Sequence, residues 1–391
     1  MHSELDHLNA GSRKPKKLRP LRIVQLVNSL EIGGTERLVV DLAIALQSRG
    51  HRTSVVCLRR GGPLQTVLAK SGVEVFMLDK AEGPSFHVLS RLMTYLKQEK
   101  IDVMHTHNPL VHHYGVAAGR LSGVPVIVNT IHGPGNLSAK TGLKEVLYGA
   151  ACRMSDQVIA VCPSAYETFS KNKVIPKRKL TTINNGIPLD QFLAVRPRAA
   201  DGDFVFGIVG RLAQVKDHRT LLQALSKLVE LRPNCRLEIL GDGPMRGDLE
   251  RQSQALGLAA KVVFHGYGAD VAGFMGRIDA FVLCSLSEGL PLSVLEAMAS
   301  GLPVIGTDVG ETRGLIEGAG CGWICPPSDS GRLAEVMLRA ADASIEERQA
   351  LGNRGRAFAI EHYSLARMTE EHERLFAALL DNRAAGSVNR S

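Results

Sequence analysis

The chain repeats one rhythm, a short apolar run, a loop and a helix-like segment, and it does so in two series over 391 residues with a single pause. The first series opens with "LRIVQLVNSL" (21–30), the loop "EIGGTER" and the helical pattern "LVVDLAIALQSRG", which stops at Gly50 as helices commonly do. "TSVVCLR", "VEVFML", "IDVMHTH", "PVIVNTIHG" and "DQVIAVC" follow as further apolar runs. The rhythm pauses at "IPLDQFLAVRPRAADGD" (187–203), rich in proline, charge and alanine, and restarts with "FVFGIVGRL", "CRLEILGDGP", "KVVFHGY", "AFVLCS" and "PVIGTDVG". Runs apolar on both faces that alternate with helices predict parallel strands covered on both sides. Two α/β domains of about 150–200 residues each fit the length. A last helical pattern, "LARMTEEHERLFAALLDN" (365–382), carries apolar residues at helical spacing.

Hydrophobic residues at 45% and charged residues at 22% describe a globular chain with material for two cores. No apolar run approaches the roughly 18 residues that would span a bilayer. The first twenty residues are polar around a basic cluster, unlike a secretory signal. The seven cysteines are scattered and form no CxxC pair, so a reduced, cytoplasmic protein is expected. The net charge of +8 conceals an asymmetry: residues 1–200 hold 27 Lys+Arg against 14 Asp+Glu (+13), and the remainder 20 against 25 (−5). Part of the excess is a basic tail over 1–20 and part is Lys171, Lys173, Lys177, Arg178 and Lys179. A basic half suits an acidic partner such as anionic lipid or a phosphorylated acceptor, or it is a solvated surface. Nucleic acid is not expected, because aromatics make up only 5% and no helix concentrates Lys and Arg.

In open parallel sheets, ligands bind beyond the carboxyl ends of the strands. The loops there read "GGTER", "HTHN", "TIHG", "GRLAQVKD", "GDGP", "GY", "SEGLP" and "TDVGE", and nearly all carry glycine, charge or histidine. Gly33 and Gly34 join a strand to a helix, where backbone N–H groups can meet an anion; a tight turn explains them as well. Arg211 and Lys216 follow the first strand of the second series, where two cations can neutralise a diphosphate or lie on the surface. Ser287-Glu288-Gly289 again joins strand to helix. Glu296 lies on that helix, where a carboxylate suits a vicinal diol.

Glu288 and Glu296 form an E-x7-E pair inside "SEGLPLSVLEAMASGLPVIGTDVGE", downstream of "GRLAQVKD" and "GDGP". This block resembles the family 4 retaining glycosyltransferases of the GT-B fold, and the resemblance runs from "GGTER" to the last helix. It implies two Rossmann-like βαβ domains facing across a cleft: an acceptor-binding domain over 21–190 and a nucleotide-sugar domain over 203–364. Helix 365–382 then crosses back to the first. By resemblance, Glu288 contacts the transferred sugar, Glu296 holds the nucleotide ribose, and Arg211 and Lys216 stabilise the departing diphosphate. Gly289, Leu290, Gly33 and Gly34 contact phosphates or sugar, and Asp308, Gly310 and Glu311 lie beside the donor. Gly241 in "GDGP" and Tyr267 after Gly266 belong to the same donor side.

His132 resembles the family histidine of the acceptor-side wall, with a strand-capping role as its rival. His105, His107, His112 and His113 crowd within nine residues, but their strand-end loop offers only Asp102 as a carboxylate, and no metal site is expected. His107 and Asn108 are assigned to the acceptor cleft. The resemblance implies transfer from a UDP- or GDP-sugar, without cofactor or metal, to an acceptor hydroxyl with retention of the α configuration. The basic half favours a lipid-linked saccharide in exopolysaccharide, O-antigen or capsule synthesis, and contact with the inner face of the plasma membrane. A nucleotide-sugar epimerase or a non-catalytic nucleotide-sugar-binding protein on the same fold is the alternative.

Overall fold

The structure, a computed structural model, describes residues 19–59, 61–133, 142–172, 174–195, 198, 202–268 and 270–388. Most of the basic tail, together with Lys173, therefore lies outside the described residues. The first series folds as β1 (Arg22–Val27), α1 (Gly34–Ser48), β2 (Arg52–Cys57), α2 (Leu64–Lys70), β3 (Glu74–Met77), α3 (Phe86–Gln98), β4 (Val103–His107), α4 (Pro109–Leu121), β5 (Val126–Ile131), α5 (Leu143–Met154), β6 (Gln157–Ala160), α6 (Pro163–Lys171) and β7 (Leu180–Thr182). The short helix α7 (Asp190–Leu193) leads to the second series: β8 (Phe204–Val209), α8 (His218–Leu231), β9 (Cys235–Leu240), α9 (Arg246–Ala255), β10 (Val262–Gly266), α10 (Val271–Met275), β11 (Ala280–Leu283), α11 (Leu292–Ala299), β12 (Val304–Thr307), α12 (Thr312–Ala319) and β13 (Gly322–Cys325). Helices α13 (Ser330–Asp342), α14 (Ile345–His362) and α15 (Leu365–Val388) complete the chain.

Among the described residues the strands form two sheets, ordered β3-β2-β1-β4-β5-β6-β7 and β10-β9-β8-β11-β12-β13, with every pair parallel. Strand order reverses between β1 and β4 and again between β8 and β11, so each sheet opens a crevice at its carboxyl ends. Right-handed crossovers put α1 and α2 on one face of the first sheet and α3 to α6 on the other. The face beside α1 is closed by α15, whose Met368 and Phe376 are buried with Leu21, Ile23, Leu38, Leu42 and Leu46. The fold is the two-sheet arrangement expected from the rhythm of the sequence.

The stretch 187–203 is more than a polar spacer. Phe192 of α7 is buried and joins a core with Phe274 of α10 and Leu295 of α11. The two chain crossings between the sheets lie side by side: Ile187 N–H donates to Tyr363 O (2.9 Å) and Leu365 N–H to Ile187 O (2.9 Å). All seven cysteines are buried and none forms a disulfide. No helix among the described residues is long and apolar enough to cross a membrane.

Candidate functional site

The second sheet gathers ionic groups at its carboxyl edge. After β8 the chain passes Arg211, which is exposed, and makes a 3-10 turn at Gln214–Lys216. Asp217 then caps α8 from a left-handed conformation (φ 47°), its carboxylate accepting from Thr220 N–H and Oγ–H. Leu286 N–H donates to Val215 O (2.8 Å), tying this turn to the loop after β11. Lys216 Nζ thereby reaches Glu288 Oε1 at 2.6 Å, and Ser285 Oγ–H donates to the same oxygen at 2.5 Å. Both side chains of this ion pair are largely withdrawn from solvent, which strengthens it over an exposed pair.

The backbone around Glu288 is held by a second turn. Glu311 N–H donates to Gly289 O (3.0 Å), and Gly310 has φ 55°. A Cβ at Gly310 would lie 2.3 Å from Glu288 O, so only glycine lets the 308–311 turn sit over the loop. Asp308 does not join the cluster; its carboxylate is taken up by the Arg313 guanidinium through two hydrogen bonds of 2.9 and 2.7 Å. Gly241 closes the edge from the other side, its N–H donating to Gly266 O (2.8 Å), and Tyr267 follows as an exposed ring.

Glu296 is set apart from Glu288. It stands on the second turn of α11 and lines a small cavity with Arg37 and Asp41 of α1 and with Gly186 and Gln191 near the chain crossing. Burial pushes its carboxyl up to about 8, against the pull of Arg37, with Asp41 adding to the rise.

The first sheet presents neutral imidazoles instead. His105 and His107 share one face of β4, and the intervening Thr106 points to the other, where its Oγ meets His112 Nδ1 at 2.9 Å. His107 Nε2 lies 2.8 Å from Gln25 Oε1, and its Nδ1 lies 2.9 Å from His132 Nε2. With the Gln25 carbonyl as acceptor, His107 carries its proton on Nε2 and accepts from His132 Nε2–H. Nδ1 of His132 is buried without a partner among the described residues. His105 Nε2 bonds Thr130 Oγ (2.7 Å), and its ring packs 5.2 Å from His372 of α15. Burial, reinforced by His372, lowers His132 to about 3; burial also lowers His372 to about 4 and holds His105 and His107 well below the usual imidazole range. Asn108 sits at φ 69°, ψ 161°, a region few residues other than glycine adopt, and its Oδ1 accepts from His132 N–H (3.3 Å). No group of three or more metal-ligating side chains occurs among the described residues.

The two edges meet. A Cβ at Gly289 would lie 3.0 Å from His132 O, and one at Gly34 would lie 3.8 Å from Leu292 Cδ1. Ser164 N–H of α6 donates to Glu311 Oε2 (3.1 Å). The structure thus brings Gly33, Gly34, Lys216, Glu288, Gly289, Leu290, His107, Asn108, His132, Gly310 and Glu311 to one cleft, with Arg211 and Tyr267 at exposed positions on the second sheet's side. Glu36 folds back over Gly33 at the start of α1. Sequence reasoning missed Gln25, Ser285, Arg37, Asp41 and His372. The one visible signal was a lone polar residue in an apolar setting, as for Gln25 in "RIVQLV".

Profiles of two families match the chain: the one described as "Glycosyltransferase Family 4" over residues 32–191 and "Glycosyl transferases group 1" over 191–358. The Escherichia coli UDP-Gal:alpha-D-GlcNAc-diphosphoundecaprenol alpha-1,3-galactosyltransferase is 27% identical over 80% of this chain and 86% of its own length. The Bacillus anthracis N-acetyl-alpha-D-glucosaminyl L-malate synthase is 25% identical over 91% and 97%. Among solved structures, Anabaena Alr3699/HepE in complex with UDP superposes with a TM-score of 0.78 at 19% identity, covering 92% of this chain and all of that one. A Rickettsia africae glycosyltransferase gives 0.81 at 18%, covering 93% and 100%.

Proposed function

This chain belongs to glycosyltransferase family 4, with the GT-B fold and a nucleotide sugar as donor, and on that premise we propose that it transfers a sugar with retention of the α configuration to the hydroxyl of a lipid-linked saccharide. The observation that carries the reading is the meeting of an ionic edge and a neutral imidazole edge at Gly289 and His132. Phosphate needs cations, and Lys216 and Arg211 stand where the diphosphate charge develops, with the backbone N–H groups of the 289–292 turn beside them. In the free protein Lys216 is held by Glu288; a donor sugar hydroxyl on Glu288 and a phosphate on Lys216 would replace that contact. Hydroxyls, unlike phosphate, can also be met by neutral partners. His132 Nδ1 is an acceptor held in orientation by His107 and Gln25, suited to the acceptor or to a sugar hydroxyl.

The acceptor oxygen attacks the face from which the diphosphate leaves, and a donor phosphate oxygen takes its proton. The C–O bond to the acceptor forms as the C–O bond to the diphosphate breaks. The cations and helix N-termini supply the charge stabilisation at the leaving group, so this scheme calls for no metal. Glu296 holds the ribose, and Gly310 and Glu311 shape the donor side. The activity named for the E. coli relative and the +13 of the first 200 residues support a lipid-linked acceptor, and with it a working position at the inner face of the plasma membrane. The test is nucleotide release from a panel of UDP- and GDP-sugars, wild type beside Glu288→Ala, with and without membrane lipid extract. Release from one donor that rises with lipid and collapses in the variant is expected. Conversion of the donor to an epimer with its nucleotide attached would overturn the reading.

A further inference from the structure

Helix α5 inverts the ordinary arrangement of a surface helix. Its one acid, Glu145, is buried and accepts from Gly142 N–H (3.1 Å), and Tyr148, Ala151 and Cys152 face inward with it. The positions left to solvent are Leu143, Lys144, Val146, Leu147, Ala150, Arg153 and Met154, five apolar and two cationic with no acid. Leu143 is 75% exposed, Val146 55%, Leu147 53% and Met154 50%. Surface helices normally turn charge outward, and a contiguous apolar face of this kind marks an interaction site. Leu110 and Leu121 of α4, in the same helical layer, are exposed as well.

The carboxyl end of α5 is ringed by cations. Lys179 Nζ donates to Arg153 O (2.8 Å) and Arg120 Nε–H to Met154 O (2.8 Å), and the 3-10 turn Lys177–Lys179 exposes Lys177 and Arg178. Asp156, the acid of this region, is bonded by both Arg120 (2.8 Å) and Arg383 (2.9 Å). The other end of α5 faces the cleft, because a helix after a parallel strand begins at that strand's carboxyl edge, and β5 leads there to His132.

We propose that the exposed face of α5, with the turn Lys177–Lys179, is a docking surface for an anionic lipid bilayer, which seats the first domain on the membrane with the cleft mouth beside it. The inference rests on the lipid-linked acceptor proposed above and names the surface that meets the lipid. Leucine, valine and methionine suit the acyl boundary while lysine and arginine rise to the headgroups. The charge pattern selects the bilayer over a second copy of the chain: a symmetric contact would set Lys144 and Arg153 against an identical acid-free face.

The test is co-sedimentation of the full chain with vesicles of equal parts phosphatidylglycerol and phosphatidylethanolamine, and with vesicles of phosphatidylcholine alone. It is run for wild type, for Leu143→Ser with Leu147→Ser, and for Lys177→Glu with Arg178→Glu. Wild type is expected to bind the anionic vesicles in a salt-sensitive way. The leucine variant loses affinity about tenfold per leucine, and the charge variant about fivefold per cation removed. All these residues are exposed, so both variants should keep the wild-type circular dichroism and transfer to a water-soluble acceptor analogue. If wild type binds and both variants bind as tightly, the membrane reading stands and this surface is wrong. Should wild type ignore both vesicles, surface and membrane reading fall together while the soluble transfer assay still judges the chemistry. A wild-type dimer that the leucine variant splits into monomers would make the face a self-interface and overturn the proposal.

Discussion

The two sheets share one architecture and carry opposite chemistry. At the carboxyl edge of the second stand the ionic side chains Arg211, Lys216 and Glu288, the last two in a 2.6 Å pair turned away from bulk water. At the edge of the first, His105, His107 and His132 are stripped of charge by burial, with His107 hydrogen-bonded to His132 at 2.9 Å and the His105 ring packed beside His107. On the function proposed, the same strand-to-helix turns would serve an anionic leaving group on one side and acceptor or sugar hydroxyls on the other. Pairing under burial makes the difference, because an ion with an opposite charge beside it tolerates desolvation and a cluster of imidazoles with no acid beside it loses its protons.

The comparison breaks most visibly at Glu288. Glu288→Gln keeps the shape and removes the charge, and turnover should drop by about a thousandfold while nucleotide still binds. Steady-state kinetics beside equilibrium binding of the nucleotide would show it; unchanged turnover would mean the ionic edge is structural. The corresponding cut on the other sheet is milder. His132→Ala should lower kcat about a hundredfold, and the wild-type pH–rate profile should show no ionisation near 6.5 that disappears in this variant. Such an ionisation would mean that His132 works charged.

Stability against pH sharpens the contrast, since the buried imidazoles and the buried carboxyl of Glu296 titrate in opposite senses. The histidines bind protons in the unfolded chain near 6.5 and in the folded one only far lower, so their contribution is complete above 6.5 and is lost as pH falls. His372→Leu should therefore narrow the gap between the Tm at pH 7.5 and at pH 5, as read by calorimetry. Glu296 runs the other way. Its carboxyl rises from 4.5 to about 8, so its contribution is complete below 4.5 and is lost as pH climbs through 8. Glu296→Gln should flatten the decline of Tm between pH 6 and 9, the smallest of these effects; a decline that persists unchanged would assign it to another group.

How much of this was legible depended on whether a feature was local. The strand rhythm, the glycine turns and the Glu288–Glu296 spacing lie within short windows, and both sheets could be read from them. Strands β7 and β13 escaped notice because "LTT" and "GWIC" are too short and too mixed to stand out, and both lie at sheet edges. α7 was hidden because one buried Phe192 anchors it in an otherwise polar stretch. Within the site, Lys216 and Glu288 announced themselves through type and place. The partners that fix the imidazoles did not, since Gln25 and His372 come from segments distant from the histidines of β4 and meet them only after the sheet and α15 have assembled. The standing apart of Glu296 from Glu288 was equally invisible, because eight residues of spacing do not tell which way a helix is rotated.

Helix α15 has a consequence for how the protein is made. It covers the face of the first sheet beside α1, and Glu373 binds Arg49 and His51 there, yet it follows the entire second sheet in the chain. On the ribosome, the first domain emerges early with an apolar flank bare and must wait while the second, residues 203–364, is translated. Domains ordinarily fold in the order of synthesis. Here the domain begun first is finished last, and the stretch of synthesis in between is when nascent chains are most open to chaperones and to aggregation.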